Sequence, residues 1–354
     1  MKLVSLKNIK DNAKVGKTIF SYDGRKLLAE DLCLRSSYIR NLLEWGISSI
    51  YIKNKKDGPV DVDGELCKEV KTEIRQQIVK WLKRFTEEQL SSDQKESVQK
   101  TIEKLISDGN IIKNLAEIKA LNDQTFERCI SVCSLSLITG SALGYNHEEL
   151  NQLGAGAILV DLGKTALSSK LLINPGLLSP EERSELERHT QLGYEALLKV
   201  KRFQESAVVL LQHHERYDGS GYPQGLQRNQ IHRFARIVSL ADMYVRLIND
   251  GLEGKRLMPH EVIEYIRDHG NVLFDPDITR VFLKQVITFL AGTNVLLNNG
   301  EKAKVCKVHP DLLARPLVKV YFDSEGKPLK TPVEKNLEQD LTLFIVKALP
   351  DNEF

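Results

Sequence analysis

Apolar residues recur at helical spacing through the middle of the chain, and alternate in the manner of strands at both ends. Between residues 65 and 119, Ile78, Trp81, Leu82 and Phe85 mark one apolar face, with Lys, Arg and Glu on the other. The run SSDQKESVQKTIEKLI extends this charged helical character, and long amphipathic helices broken by Gly and Pro follow from Ile111 to about Leu290. Ahead of them, KLVSL and KTIFSY read as short strands around an Asp23-Gly24 turn. The spacing of Ile39, Leu42 and Leu43 predicts a helix over Leu28–Gly46, and ISSIYIKN alternates as a strand. After Gly292 three strand-like runs surround Asn299-Gly300 and Glu325-Gly326, both hairpin signals. The expected fold class is mainly α, with a small α/β N-terminal unit and a β-rich C-terminal appendage. The expected divisions are 1–54, connecting helices 65–119, a helical domain 120–290 and the appendage 292–354, with Lys55–Gly64 as a polar linker.

Composition narrows the setting. A chain of 354 residues with 42% hydrophobic content has room for two or three domains around real cores. A net charge of +2 gives no case for DNA or for attraction to a membrane surface. No apolar signal segment and no spanning run of about 20 apolar residues are visible, so membrane insertion is not expected. Cys33, Cys67, Cys129, Cys133 and Cys306 are odd in number and scattered, which suits a reducing cytoplasm. The N-terminal unit reads equally as a regulatory module or as a packing extension. The connecting helices can hold it against the main domain or hold two protomers together as a homodimer.

The candidate chemistry centres on His213–Gly225, HHERYDGSGYPQG. Adjacent histidines diverge by about 100° on a helix, so both reach one cation only where the helix gives way to a loop. Gly219 and Gly221 free the backbone there, and Pro223 fixes the exit. A structural helix end with one core histidine is the plainer reading. The pair running into a glycine-rich turn favours metal ligation, since neutral imidazole is a common ligand. Asp161 follows the apolar run AGAILV, and a carboxylate buried there needs a metal or a strong hydrogen bond.

With VDLGK (Val160–Lys164), ERHTQLG (Glu187–Gly193), the HHE and Gly221-Tyr222-Pro223 stretch, and ARIVSLADMY (Ala235–Tyr244), the chain resembles the HD-GYP family of bacterial phosphodiesterases over roughly Ala120–Leu290. The resemblance implies an all-helical, metal-dependent domain acting on cyclic di-GMP. Carried over by motif, Asp161, His189, His213 and His214 form one complete metal subsite, suited to Fe, Mn or Zn. Asp161 and Asp242 are what remains of a second. Lys164 corresponds to a lysine near the substrate phosphate and, with Asp161, makes up the catalytic set. Tyr222 and Lys255 complete the expected substrate contacts.

Several positions depart from the family pattern. Val160 replaces the histidine of the His-Asp doublet, Cys129 an upstream histidine and Thr125 an acidic ligand, while Gly251 stands where an arginine reaches the phosphate. Cys129 and Cys133 share a helix face, as thiolate ligands or, about three times as often for such residues, as plain core. These losses lead to an expectation of one divalent cation per protomer at most, or none. The chain is then a catalytically impaired receptor for cyclic di-GMP or a related dinucleotide, or a module binding a signalling protein. Two alternatives stand beside it: an active phosphodiesterase yielding pGpG or GMP, and a hydrolase of another phosphoester.

Overall fold

The computed structural model describes residues 1–9, 12–20, 26–45, 47–53, 61–62, 64–82, 91–168, 170–173, 178–252, 257, 259–286, 292–309, 312–349 and 354. The chain falls into two compact units, Met1–Asp242 and Met243–Phe354. Strands β1 (Lys2–Ser5), β2 (Ile19–Phe20), β3 (Lys26–Leu28), β4 (Ser49–Ile52) and β5 (Asp61–Val62), with helix α1 (Ser36–Glu44), open the first unit. β1 lies between β4 and β5, antiparallel to the former and parallel to the latter, and β2 pairs with β3. Leu6, Val15, Leu28, Leu34, Leu42 and Ile50 close a small core beneath them.

The helix expected over Leu28–Gly46 is shorter than its pattern. Leu28 belongs to β3, and Asp31 adopts φ 67°, which ends any helix there. Leu32 and Leu34 instead exchange backbone hydrogen bonds with Ala13, Val15 and Asn12. Pairing with Asn12–Val15 has overridden helical spacing. The linker is also shorter than expected, since Asp61–Val62 joins the sheet beside β1. Phe85, the Asp23-Gly24 turn and Lys55–Val60 lie outside the described residues.

Helices α2 (Gly64–Leu82), α3 (Ser92–Ser107), α4 (Gly109–Leu121), α5 (Asp123–Ala142) and α6 (His147–Ile158) follow. Each of the last four starts at a residue whose side chain accepts backbone N–H groups: Ser91, Asp108, Asn122 and Asn146. On α5, Cys129, Ile130, Val132, Cys133, Leu135, Leu137 and Ile138 are all fully buried. A helix that is apolar on every side must be surrounded, and α2, α3, α4 and α6 pack against it. Lys119 of α4 pairs with Glu73 of α2 at 2.7 Å, and Ser48 donates to Asp123 at 3.1 Å, so the N-terminal strands sit on these helices.

Beyond α6 a 3₁₀ turn, Leu162–Ala166, leads to α7 (Lys170–Ile173), α8 (Pro180–Glu187), α9 (His189–Leu198), α10 (Gln204–Gln212) and α11 (Arg233–Asn249). Among the described residues between 120 and 286 there is no strand, and Asp218 and Gln227 form an isolated bridge. The second unit contains α12 (Pro259–Leu273), α13 (Pro276–Gln285) and strands β6 (Asn294–Leu297), β7 (Lys302–His309), β8 (Leu312–Phe322), β9 (Pro328–Asn336) and β10 (Ile345–Ala348). These strands form one antiparallel sheet, ordered β10-β6-β7-β8-β9. Both predicted hairpin turns occur, with Gly300 at φ 89° and Gly326 at φ 78°. The fold class is as expected: mainly α, with a small α/β start and a separate C-terminal sheet.

One close approach holds the 3₁₀ turn to α9. A Cβ on Gly163 would overlap the His189 carbonyl and crowd the Gly193 amide, and neither backbone atom can rotate away. Gly163→Ala is therefore expected to destabilise the protein by about 1–3 kcal/mol in denaturant titrations. Gly64→Ala, where a Cβ meets nothing within 4 Å, should stay within about 1 kcal/mol of the parent.

Candidate metal centre

Helix ends bring the candidate ligands together. His189 is the first residue of α9, and His213 is the cap that ends α10, so His213 and His214 both sit where helix turns into loop. Nδ1 of His189 lies 2.7 Å from the Leu186 carbonyl, and Nδ1 of His213 lies 3.0 Å from that of Leu210. A carbonyl only accepts, so both Nδ1 atoms carry the proton and both Nε2 atoms present lone pairs. Those two Nε2 atoms face each other at 3.5 Å. Two lone pairs cannot bond each other, and the pair calls for a shared electrophile. His214 completes the group, its ring 4.0 Å from that of His213 and 5.2 Å from that of His189. Ligand atoms of the three histidines all lie within 4.8 Å of one another.

Asp161 stands at the edge of this cluster. Its Oδ1 is 2.9 Å from Lys164 Nζ and 4.0 Å from His189 Nε2. Its Oδ2 is buried and has no hydrogen-bond partner in the protein. An orphaned carboxylate oxygen beside three clustered imidazoles is a donor set that fits a borderline divalent cation. Burial works to raise the Asp161 carboxyl, but Lys164, Arg128 and the neighbouring histidines outweigh it and hold the pKa well below the usual range. Burial pushes the histidines the other way: His189 falls to about 3, and His213 and His214 are also lowered. The carboxylate stays charged and the imidazoles stay neutral, as ligation requires.

The loop after the histidines is fastened from inside. Glu215 is buried, and its carboxylate accepts the Gln224 and Leu226 amides at 2.7 and 3.0 Å. Gly221 passes so close to Glu215 and Arg216 that a Cβ would strike their backbone. Tyr222 consequently lies with its ring stacked on His214, centroids 4.7 Å apart. The Tyr222-Pro223 bond is cis.

The remaining candidates are arranged differently. Asp242, buried on α11, binds Arg128 of α5 through one oxygen, Oδ1, at 2.9 Å from Nε and 2.6 Å from Nη2. Val160 is buried among apolar neighbours. Cys129 is fully buried, and burial together with Asp161 pushes its thiol far above the usual range. Cys133 donates to the Gly154 carbonyl at 3.6 Å, as a core residue does. Gly251, at φ 76°, belongs to the second unit, and Lys255 lies outside the described residues. Sequence reasoning missed Arg128 and the clamp made by Glu215. Arg128 was open to discovery, because it shares a helix face with Thr125 and neighbours Cys129.

Residues 87–278 match the HD domain family. The chain belongs to the HD domain family. Residues 294–354 match a KOW domain associated with the HD domain, which covers the C-terminal sheet. This HD-domain protein is 32% identical over 219 residues to a cyclic di-GMP phosphodiesterase of Pseudomonas aeruginosa, covering 62% of this chain and 53% of that one. It is 36% identical over 149 residues to a cyclic di-GMP phosphodiesterase response regulator of Xanthomonas campestris, covering 42% and 39%. The chain thus spans about half the length, or less, of these curated relatives. An HD-G"Y"P protein of Bdellovibrio bacteriovorus is similar at 17% identity and TM-score 0.43, over 79% of this chain and 97% of its own. The relatives bear out the HD-GYP resemblance read from the motifs. Among the described residues, no helix is long and apolar enough to cross a membrane.

The shifted groups fix a pH response. For His189 the native value is about 3 against an ordinary 6.5, so between them the unfolded chain holds a proton that the native chain lacks. Stability therefore rises with pH across that window and is lost as pH falls through it. His213 and His214 shift in the same direction, and Asp161 and Asp242 add a further loss below 3.8. Metal-free protein should melt at a nearly constant temperature between about pH 7 and pH 8. Below about pH 6.5 each buried histidine should contribute up to about 1.4 kcal/mol per pH unit. His189→Gln should reduce that slope by about one proton, as read by calorimetry across the pH series.

Proposed function

We propose that this HD-domain protein is a metal-dependent phosphodiesterase acting on cyclic dinucleotides, with cyclic di-GMP as the leading substrate. The observation that carries the reading is the convergence of the His189 and His213 lone pairs beside the unpartnered Asp161 oxygen. The reaction class is supported by relatives named cyclic di-GMP phosphodiesterases, which favour an active enzyme over the impaired receptor expected from the departures. Other relatives in Vibrio cholerae are named 3'3'-cGAMP-specific phosphodiesterases, so the bases of the substrate differ among the relatives.

His189, His213, His214 and Asp161 would hold one divalent cation, Fe, Mn or Zn by donor type. When bound, that cation supplies Lewis acidity for a phosphoryl oxygen and for an attacking water. The protein's own contribution is preorganisation. The Leu186 and Leu210 carbonyls fix two imidazole tautomers, so no ring has to turn as a ligand arrives. Lys164 keeps Asp161 ionised and, at 16% side-chain exposure, remains at the mouth of the site. There its ammonium can meet a phosphate oxygen in a partly desolvated setting. Tyr222 holds His214 by stacking.

A second reading, a receptor that binds without cleaving, is favoured by one observation, the Arg128–Asp242 ion pair where a second cation would otherwise be held. Purified protein supplied in turn with Mn, Fe and Zn should convert cyclic di-GMP to a linear dinucleotide, resolved by chromatography. His213→Ala and Asp161→Asn should each lower turnover by at least about 100-fold. Tight calorimetric binding of cyclic di-GMP without product in any of the three metals would replace the enzyme reading with the receptor.

A further inference from the structure

We propose that the Arg128 guanidinium is a built-in cation that occupies the Asp242 side of the site and limits the centre to a single metal ion. The inference rests on the metal-centre reading above, though not on hydrolysis. Asp161 and Asp242 are both buried, with side-chain exposures of 2% and 4%, and each has its own side-chain cation: Lys164 for Asp161 and Arg128 for Asp242. Lys164 comes from the same turn as its partner. Arg128 comes from 114 residues away and crosses from α5 to α11.

The geometry of that crossing is specific. Nε and Nη2 both donate to the same oxygen of Asp242, Oδ1. A second cation ligated by Asp242 would lie against a guanidinium that cannot lose its charge. Like charges in a buried setting repel strongly, because little water remains between them. The neighbouring side chains offer no second charge: Val160 is apolar, and Cys129 lies fully buried in α5. Thr125, Arg128 and Cys129 follow one another along one face of α5. The one charged member of that face supplies positive charge in place of a ligand. Asp242 thereby keeps its ionised form without any metal, and α5 is tied to α11 whether or not the centre is loaded.

The test is metal stoichiometry, read by elemental analysis after loading the full chain with Mn²⁺ and desalting, with circular dichroism as a check on folding. The parent should hold one ion per chain, and Arg128→Lys, which retains the charge, should also hold one. Arg128→Ala should take up a second ion, moving the ratio from one toward two. Mn²⁺ should then raise its melting temperature by more than it raises that of the parent. Should Arg128→Ala fail to fold, Arg128→Gln makes the same comparison, since it keeps a hydrogen bond to Asp242 without the charge. A parent ratio of zero or two, or folded uncharged variants that stay at one, would overturn the proposal. Stoichiometry is independent of turnover: ratios that move as expected in a protein without hydrolysis would sink the phosphodiesterase reading alone. Turnover with ratios that do not move would sink the Arg128 proposal alone.

Discussion

A backbone carbonyl that claims Nδ1 of a buried histidine leaves that ring one thing to offer on its other side, a lone pair. The protein does this twice, at Leu186 and Leu210, and points the two resulting Nε2 atoms at each other across 3.5 Å. Everything around the site serves that confrontation. Burial keeps the rings neutral, Lys164 keeps Asp161 charged, and the glycine at 163 lets the Asp161 turn press against the first residue of α9. Without an electrophile between them the lone pairs would only repel, and a fold that stabilises such an arrangement is organised for binding rather than for its own stability.

The carbonyls are available because of where the histidines sit. Inside a helix the carbonyls of residues 186 and 210 would be engaged by amides four residues on. At the junction of α8 and α9 and at the end of α10 that ladder is interrupted, so a side chain can reach the carbonyl. The same interruption answers the geometric objection to adjacent ligands. His213 and His214 would point about 100° apart within a helix. In the turn that ends α10 their rings come within 4.0 Å.

Much of this was legible in the sequence. Helical spacing located the domain, the histidine pair running into Gly219 and Gly221 located its chemical centre, and the resemblance supplied Asp161 and His189 as companions. The alternation after Gly292 gave a sheet with both hairpin turns in place. What escaped was whatever depends on partners distant in the chain. The spacing of Ile39, Leu42 and Leu43 extends a helix back to Leu28, but the backbone of Asp31, Leu32 and Leu34 bonds to Asn12, Ala13 and Val15. Spacing reports which side chains share a face and is silent on where amides pair. Glu215 follows the histidines directly in sequence, and its carboxylate closes the loop through the Gln224 and Leu226 amides, nine and eleven residues on.

Arg128 shows the same limit from the other side. Position by position, Val160, Cys129 and Thr125 read as losses, because each was judged by what a metal would need there. A buried carboxylate, however, needs positive charge of some kind, and it does not matter to Asp242 whether that charge is an ion or a guanidinium. Once ligands on α5 are gone, an arginine on the same face both neutralises Asp242 and spans to α11 with a side chain longer than any metal–ligand bond. Asp242 and Arg128 both project from the interior of continuous helices, not from frayed ends, so the gap between them is set by helix packing. His189 and His213 sit instead at helix ends, with their rings held by the Leu186 and Leu210 carbonyls. The site thus joins imidazoles presented from helix ends to an ion pair between helix interiors. In the ion-pair half the positive charge is permanent, because a guanidinium does not lose its proton.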